Sequence, residues 1–431
     1  MTPAARIQAV IELLADIMET PRPADGVAST YFRNRRFIGS KDRAAITSRY
    51  YRILRHAHRL SWWADRADVA VTPRAFVIAD AVLGKEHSPE SLDRVFSGER
   101  YAPAPMMEEE VALAESVVGE RAEHDDMPLS VRVECPDWAF EALRQALGDR
   151  FEGEMRAMMA EAPLDIRINT LKTTRDEALA ALHEDGMGGE LGIVSPLCIR
   201  LANRPPLTRH KLFTSGAVEI QDQGSQMVAL VAKAQPGERV VDFCAGAGGK
   251  TLALGASMDN KGKIVAMDVM ERRLTRAKVR FRRAGLHNIE TRALSSEHDK
   301  YVKKHAGTFD LVLVDAPCSG TGTWRRDPDK RWQQLGPGLE TLVPLQKSIL
   351  DSASRLVKPG GRLVYATCSL LPDENENQVK EFLAGHDDFT LYPAREIIDV
   401  AGAGDYLSLS PAQHDTDGFF AAVMTRKGKP A

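Results

Sequence analysis

The stretch Val240-Val-Asp-Phe-Cys-Ala-Gly-Ala-Gly-Gly-Lys-Thr251 runs from a short apolar segment into a turn with glycine at 246, 248 and 249. A strand that ends in such a turn and opens straight into a helix brings backbone close to a ligand over the helix N-terminus. The next apolar segment, Lys263–Asp268, ends in an acid. A carboxylate at the tip of a second strand is placed to accept both hydroxyls of a ribose. Further segments of the same kind follow at Ile289–Ala293, Asp310–Asp315 and Arg362–Thr367, with helical patterns between them, and Gly418–Met424 reads as an added strand. This alternation predicts an α/β fold built on a doubly wound, Rossmann-like parallel sheet.

Upstream the pattern changes twice. Residues 129–215 hold short strand candidates at Leu164–Ile168, Ile193–Val194 and Ile199–Leu201, with a helical stretch after Thr174, which predicts a small α/β module. Residues 4–100 carry apolar residues at helical spacing: Ile7, Val10, Ile11 and Leu14, then Ile46, Tyr50, Ile53 and Leu54, then a third stretch after Pro73. Nothing there alternates as a strand does, so an all-helical bundle is expected, with Trp62 and Trp63 in its core. Prolines and acids over 101–128 read as a linker around one short helix. The predicted domains are 1–125, the bundle with its linker; 126–215, the small module; and 216–431, the large α/β domain.

Of the 431 residues 43% are hydrophobic and 27% charged, the balance of an ordinary soluble chain. No apolar run is long enough to span a membrane and no signal-peptide core opens the chain, so a cytoplasmic protein is expected, with no membrane partner. Its five cysteines, Cys135, Cys198, Cys244, Cys318 and Cys368, are scattered without Cys-x-x-Cys pairs. That pattern suggests neither a metal site nor a disulfide framework. The net charge of −3 hides two basic runs. One spans Arg33 to Arg59, with nine basic residues against Asp42; the other spans Glu271 to Arg283, with seven against Glu271. Each reads equally as a phosphate-contacting face and as a solvated helix face.

Three ligands compete for the glycine turn. A phosphate loop needs Gly-x-x-x-x-Gly-Lys-Ser/Thr; Gly249-Lys250-Thr251 fits its end, but its first glycine falls on Cys244. A dinucleotide turn needs a third glycine where Thr251 stands. A nucleoside-bearing methyl donor fits the set best. Beyond the turn, Val314-Asp-Ala-Pro-Cys-Ser-Gly-Thr-Gly-Thr-Trp324 and Tyr365-Ala-Thr-Cys-Ser369 follow two strands whose loops open on one crevice. Two cysteines and Asp315 are therefore expected at the crevice mouth. A thiolate adding to carbon 6 of cytosine breaks the ring's aromaticity and makes carbon 5 electron-rich. A carboxyl group at nitrogen 3 assists, and the thiol then leaves. Asp315 suits that position as an acid or as an acceptor from the exocyclic amine. Cys135, Cys198 and Cys244 read instead as small buried hydrophobes.

These motifs strongly resemble the RsmB/Nop/Sun family of RNA cytosine-C5 methyltransferases. The resemblance rests on Asp315-Ala-Pro-Cys-Ser-Gly-Thr-Gly, Ala366-Thr-Cys-Ser and the terminal Asp417-Gly-Phe-Phe block. Arg325-Arg-x-Pro-Asp-x-x-x-Trp332, Gln221-Asp-x-Gly-Ser225, Trp138 after Pro136 and Arg167-Ile-Asn169 add to it, and it covers roughly residues 129–426. It implies a class I methyltransferase domain using S-adenosylmethionine, with Cys368 as nucleophile, Cys318 aiding product release and Asp315 beside the base and cofactor. It further implies Cys244, Ala245, Gly246, Ala247, Gly248, Gly249 and Lys250 around the methionine end of the cofactor, Asp268 on its ribose and Arg273 on the cofactor side. Ser40-Lys-Asp-Arg43 through Tyr51-Arg-Ile-Leu-Arg55 is similar to a NusB-type RNA-binding bundle, the preface of bacterial RsmB-type enzymes. Small-subunit (16S) ribosomal RNA is then the implied partner, of a monomeric, metal-free enzyme.

The chain departs from the family at two places. The turn usually reads Cys-Ala-Ala-Pro-Gly-Gly-Lys, and here lacks the proline. An Asp is usual after the third strand, where this chain has Arg292-Ala-Leu-Ser-Ser296, with Ser295 and Ser296 as candidate substitutes. Lys250 reads equally as a cap of the turn and as a group positioning the cysteines. His414 and Asp415 read as a polar turn, Asp417 as nearer the site. Trp324 is a candidate for stacking on RNA bases, Trp332 for packing. Glu374 to Glu376 read as the acidic first turn of a helix. Three other functions stay open: a transfer-RNA methyltransferase, a non-catalytic RNA-binding assembly factor, and a DNA cytosine methyltransferase with Cys318 as nucleophile.

Overall fold

Thr2 caps the first helix, its hydroxyl accepting from the Ala5 N–H at 3.1 Å, with Pro3 in the first turn. In the computed structural model, which describes residues 1–332 and 336–428, that helix (α1, Pro3–Glu19) is followed by α2 (Ala24–Asn34), α3 (Ser40–Arg55), α4 (Ala57–Arg66) and α5 (Pro73–Leu83). Ile7, Val10 and Leu14 of α1 and Ile46, Tyr50 and Ile53 of α3 bury one face each, as their spacing predicts. Helix α5 is buried on every side from Ala75 to Leu83, the mark of a central helix. No described helix is long and apolar enough to cross a membrane.

This helical unit comprises Met1–Glu161 and Trp324–Gly336. It therefore runs past the boundary expected at 125/126. The supposed linker packs into it: Leu113, Ala114 and Val117 join its core, and buried Glu110 takes two bonds from Arg74 at 2.7 Å. The Arg325–Trp332 motif folds here too. Asp329 accepts from the Ala24 N–H at 2.9 Å, Arg331 donates to the Met158 carbonyl at 2.8 Å, and the Trp332 indole to the Leu54 carbonyl at 2.8 Å.

The Arg33–Arg59 run is mostly spent inside the unit. Arg52 pairs with both oxygens of Asp80 at 2.8 and 2.6 Å, Arg49 with Glu86, Arg35 with Glu12 at 3.3 Å, and Arg59 with Glu123 at 2.9 Å. Arg43 and Arg55 donate to the carbonyls of Ile38 and Arg325. Arg33, Arg36 and Lys41 remain exposed.

Glu134 is fully buried, its two oxygens accepting from the His58 and Arg59 N–H groups at 3.0 Å each. Burial pushes its pKa from 4.5 up to about 7, against the opposing pull of those bonds and of Arg331. An acid whose folded pKa is raised contributes stability that is present below its unfolded pKa and lost as pH rises through the folded one. Wild-type stability is thus expected to fall relative to Glu134→Gln between pH 4.5 and about 7. By linkage the gap shifts by up to about 3 kcal/mol. Denaturant unfolding of both proteins over that range checks this; a pH-independent gap contradicts it.

The second unit comprises Ala162–Thr323 and Pro337–Ala431. It opens with an antiparallel sheet of β1 (Leu164–Ile168), β2 (Gly189–Leu191), β3 (Cys198–Leu201) and β4 (Val218–Ile220), in order β2-β3-β1-β4. Ile193–Val194 is not a strand; the chain pairs two residues earlier, at β2. Strand β4 lies beyond the 215/216 boundary expected for this module. Thr174 starts the intervening helix with a capping box to Glu177.

The large sheet holds β5 (Arg239–Asp242), β6 (Lys263–Asp268), β7 (Ile289–Ala293), β8 (Phe309–Asp315), β9 (Val357–Thr367), β10 (Phe389–Tyr392), β11 (Leu407–Leu409) and β12 (Phe419–Arg426). The order is β10-β12-β9-β8-β5-β6-β7, with β11 on β12. Strands β5 to β9 are parallel, as predicted. Strand β12 is antiparallel to β9, so the sheet is mixed. The fold is a Rossmann-like α/β sheet. Its central parallel strands β5, β6 and β8 are buried over most of their length, which is why they read as apolar runs, whereas the edge strand β7 is largely exposed.

Candidate active site

Strand β5 delivers the glycine turn to the carboxyl edge of the sheet. Gly246 and Gly248 sit at φ +54° and +81°, the left-handed region where glycine alone is unstrained. A Cβ on Gly248 would lie 2.5 Å from the Phe281 ring, so close packing requires glycine there as well. A Cβ on Gly246 would meet nothing within 4 Å, which leaves open space over the turn. Asp268, at the tip of β6, accepts from the Gly246 N–H at 2.9 Å and the Met270 N–H at 2.7 Å. Each oxygen keeps a lone pair. Behind the turn, buried Asp242 accepts from the Thr251 hydroxyl at 2.6 Å, while its Oδ1 has no partner. Burial lifts its pKa to about 7. An acid at the second strand tip, open room above glycine and the free N–H groups of the helix Gly249–Ser257 together fit a nucleoside-bearing cofactor.

Strands β8 and β9 run side by side with Asp315 opposite Ala366, so the loops after them leave the sheet together. They bring Cys318 Sγ to 3.4 Å from Cys368 Sγ, both half-buried. Lys250, nearly buried in the first turn of its helix, donates to Asp315 Oδ2 at 2.6 Å. Burial pulls the lysine pKa down, but Asp315 and the nearby Cys368 outweigh it and hold the ammonium above its ordinary value. The Lys250 side chain reaches Asp315.

The two thiols differ in surroundings. Cys318 is pushed well above its ordinary value by its hydrogen bond to Cys368, by burial, and by the charges of Cys368 and Glu374. Cys368 has the Lys250 ammonium as its charged neighbour. Two sulfurs 3.4 Å apart cannot both carry charge cheaply. The surroundings of Cys318 keep the proton on its own sulfur.

Glu374 was expected in the first turn of a helix and ends the short turn Pro372–Glu374 that leads into the helix Glu376–Gly385. It is fully buried and takes the Ser319 N–H at 2.8 Å and the Gln346 amide at 2.9 Å, while Gln346 also holds the Pro317 carbonyl at 2.9 Å. Asn375 holds the Ser369 carbonyl at 2.9 Å. The Glu374-Asn375 pair therefore clamps both cysteine loops. The Gly322 and Gly418 backbones touch as well, with the Gly418 N–H on the Gly322 carbonyl at 2.7 Å.

The remaining expected residues divide. Cys244, Ala245, Ala247 and Gly249 form the turn itself. Cys244 stays a neutral thiol, raised by burial and by Asp242, Asp315 and Asp268. Arg273 is exposed and makes no side-chain bond among the described residues. Ser295 donates to Asp299 at 2.9 Å and Ser296 accepts from the His298 N–H at 3.1 Å, so both are engaged in their own loop. Asp417 is buried, its N–H on Asp222 at 3.0 Å. His414 accepts from Ser410, and Asp415 pairs with Arg200 on a turn at φ +50°. Trp324 is fully buried and cannot stack on RNA bases. Arg167 and Arg280 were missed as supports of the turn. They donate to the Gly249 and Ala247 carbonyls at 2.9 and 2.6 Å.

A profile of the family described as 16S rRNA methyltransferase RsmB/F matches residues 229–425, and one described as an RsmF/B-like ferredoxin-like domain matches residues 135–208. Ribosomal RNA small subunit methyltransferase B of Photorhabdus laumondii is 34% identical over 292 residues, covering 68% of this chain and 66% of that protein. Probable ribosomal RNA small subunit methyltransferase B of Synechocystis sp. is 35% identical over 311 residues, covering 70% and 69%. The chain thus matches about two thirds of the length of these curated relatives. The crystal structure of PH0851 superposes with a TM-score of 0.79 at 26% identity, covering 98% of this chain and 99% of that one.

Proposed function

The chain belongs to the RsmB/F family of 16S rRNA methyltransferases, a family that uses S-adenosylmethionine, and on that footing we propose that it methylates carbon 5 of a cytosine in small-subunit ribosomal RNA through a covalent bond from Cys368. The observation that carries this reading is the thiol pair beside the Lys250–Asp315 ion pair, on the strand edge that also bears the cofactor turn. RNA binding alone needs none of these groups.

Bound S-adenosylmethionine supplies an electrophilic methyl group. Asp268 would hold its ribose, and the residues from Cys244 to Lys250 would hold its methionine end. Cys368, ionised beside Lys250, adds to carbon 6 of the cytosine and breaks the 5,6 double bond, so carbon 5 becomes the nucleophile. Lys250 donates to Asp315 Oδ2, leaving Oδ1 to accept from the exocyclic amine. The negative charge that addition places on nitrogen 3 and oxygen 2 falls beside this pair, where the Lys250 ammonium stabilises it. Carbon 5 takes the methyl and then gives its proton to a water molecule acting as base; the C–H electron pair restores the 5,6 double bond and the C6–S pair leaves with Cys368 sulfur. The Cys318 S–H then donates to the departing sulfur and stabilises it as thiolate. The target base must leave its stack to reach this pocket. The helical unit is read as the NusB-like RNA-binding module, with Arg36, Lys41 and the 77% exposed Phe37 as its free contacts.

The test is transfer from labelled cofactor to deproteinised small-subunit ribosomal RNA, followed by nucleoside analysis. Label in 5-methylcytidine is expected; label on a ribose, on another base, or none overturns the reading. Asp315→Asn, which removes the Lys250 ion pair and the acceptor for the base, is expected to lower kcat by roughly 10²–10³-fold in the same assay, the range for loss of one positioned electrostatic group. Unchanged kcat would remove Asp315 from the mechanism.

A further inference from the structure

The helix Glu271–Ala284 carries the second basic run, and its fate differs from the first. Leu274, Ala277, Phe281 and Ala284 face the core. Arg280 and Arg283 are taken by Glu219. Arg272, Arg276, Lys278 and Arg282 are exposed and make no side-chain hydrogen bond or ion pair among the described residues. At 3.6 residues per turn, Arg272, Arg276 and Arg282 surround the outward-facing Val279, itself 65% exposed.

Folding gains nothing from this arrangement. Arg272 and Arg276, and Lys278 and Arg282, are like charges at i,i+4 spacing, which destabilises a helix. Arg272 also stands in the first turn, where the helix dipole disfavours a cation. A solvated face would mix signs; this one has Glu271 alone against its cations. The helix is also fixed to the cofactor turn. Phe281 fills the space beside Gly248, and Arg280 holds the Ala247 carbonyl at 2.6 Å.

We propose that the outer face of Glu271–Ala284 is a docking surface for the sugar-phosphate backbone of the substrate RNA flanking the target nucleotide. The proposal rests on the RNA methyltransferase reading and adds where the strand is held. Unpaired arginines match phosphate in charge and in bidentate geometry. Because the helix is bolted to the glycine turn, a strand docked on it is held in fixed register with the methyl donor. Contacts to phosphate position the strand without reading its sequence.

Arg272→Glu/Arg276→Glu tests this without threatening the fold, since both sites are exposed and a glutamate in the first turn suits the dipole. The KM for deproteinised small-subunit ribosomal RNA is expected to rise about tenfold or more at fixed salt, with kcat within about twofold and cofactor affinity unchanged. In cofactor-free filter binding, the slope of log affinity against log salt should become shallower by about 1.4, two single-strand phosphate contacts' worth. Arg272→Lys/Arg276→Lys should keep the wild-type slope. An unchanged KM and slope in the glutamate variant overturns the proposal. So does equal loss in the lysine variant, or a loss seen only with intact ribosomal subunits, which would point to a protein partner. A wild-type protein that binds RNA with the predicted salt slope yet transfers no methyl would sink the enzymatic reading and leave the surface standing.

Discussion

Cys368→Ala is expected to cut methyl transfer by roughly 10⁴-fold or more while leaving cofactor binding and unfolding free energy near wild type. The expectation follows from the ring's chemistry: without addition at carbon 6, carbon 5 of cytosine is too poor a nucleophile to take the methyl. It also follows from the local charges. The Lys250 ammonium lies near Cys368, whereas Glu374 and burial keep the neighbouring thiol protonated. Cys318 therefore cannot simply take over, although its sulfur is 3.4 Å away. The side chain is small and half-buried, so alanine leaves little cavity and the loop held by Asn375 stays in place. Single-turnover transfer with the variant measures the loss. Residual activity within tenfold of wild type would remove Cys368 from the covalent step.

Cys318→Ala is expected to fail differently. Its S–H hydrogen bond stabilises the Cys368 thiolate, the state reached when the product departs. Removing it shifts the balance toward the bonded form. Turnover should fall by roughly 10²–10³-fold, with a protein–RNA species that survives denaturing electrophoresis and accumulates only when both substrates are present. If Cys318 were the nucleophile, as in the DNA-type alternative, this variant would form no such species and Cys368→Ala would accumulate it. The two single variants thus give opposite band patterns under the two assignments.

The parallel sheet was legible because β5, β6 and β8 are apolar runs closed by Asp242, Asp268 and Asp315. Four of the five predicted parallel strands agree with the observed ones to within one residue at either end. The fifth, β9, begins earlier, at Val357, because Gly360 and Gly361 lie within it rather than ahead of it. Lone motifs were also legible where chemistry constrained them: Cys318, Cys368, Asp315 and Lys250 meet as their loops implied. What the sequence hid were long-range partners. Glu374 looks like an acid of a helix's first turn until Ser319, 55 positions away, is seen to bond it. The two basic runs were indistinguishable on paper. Asp80, Glu86, Glu123 and backbone carbonyls absorb the first, whereas Glu219 is the one acid that pairs with the second among the described residues, and no local pattern encodes that difference. Trp324 misled because an aromatic in a Gly-Thr-rich loop resembles an exposed stacking platform; here it is a buried core residue.

The covalent step can be caught directly with small-subunit ribosomal RNA carrying 5-fluorocytidine. Fluorine at carbon 5 leaves no proton to remove after methyl transfer, so the nucleophile stays bonded to carbon 6. Nuclease and protease digestion of the trapped wild-type complex, followed by mass spectrometry, should find a methylated fluorocytidine on the peptide containing Cys368. The same adduct on the Cys318 peptide, or methylation with no adduct at all, would contradict the account.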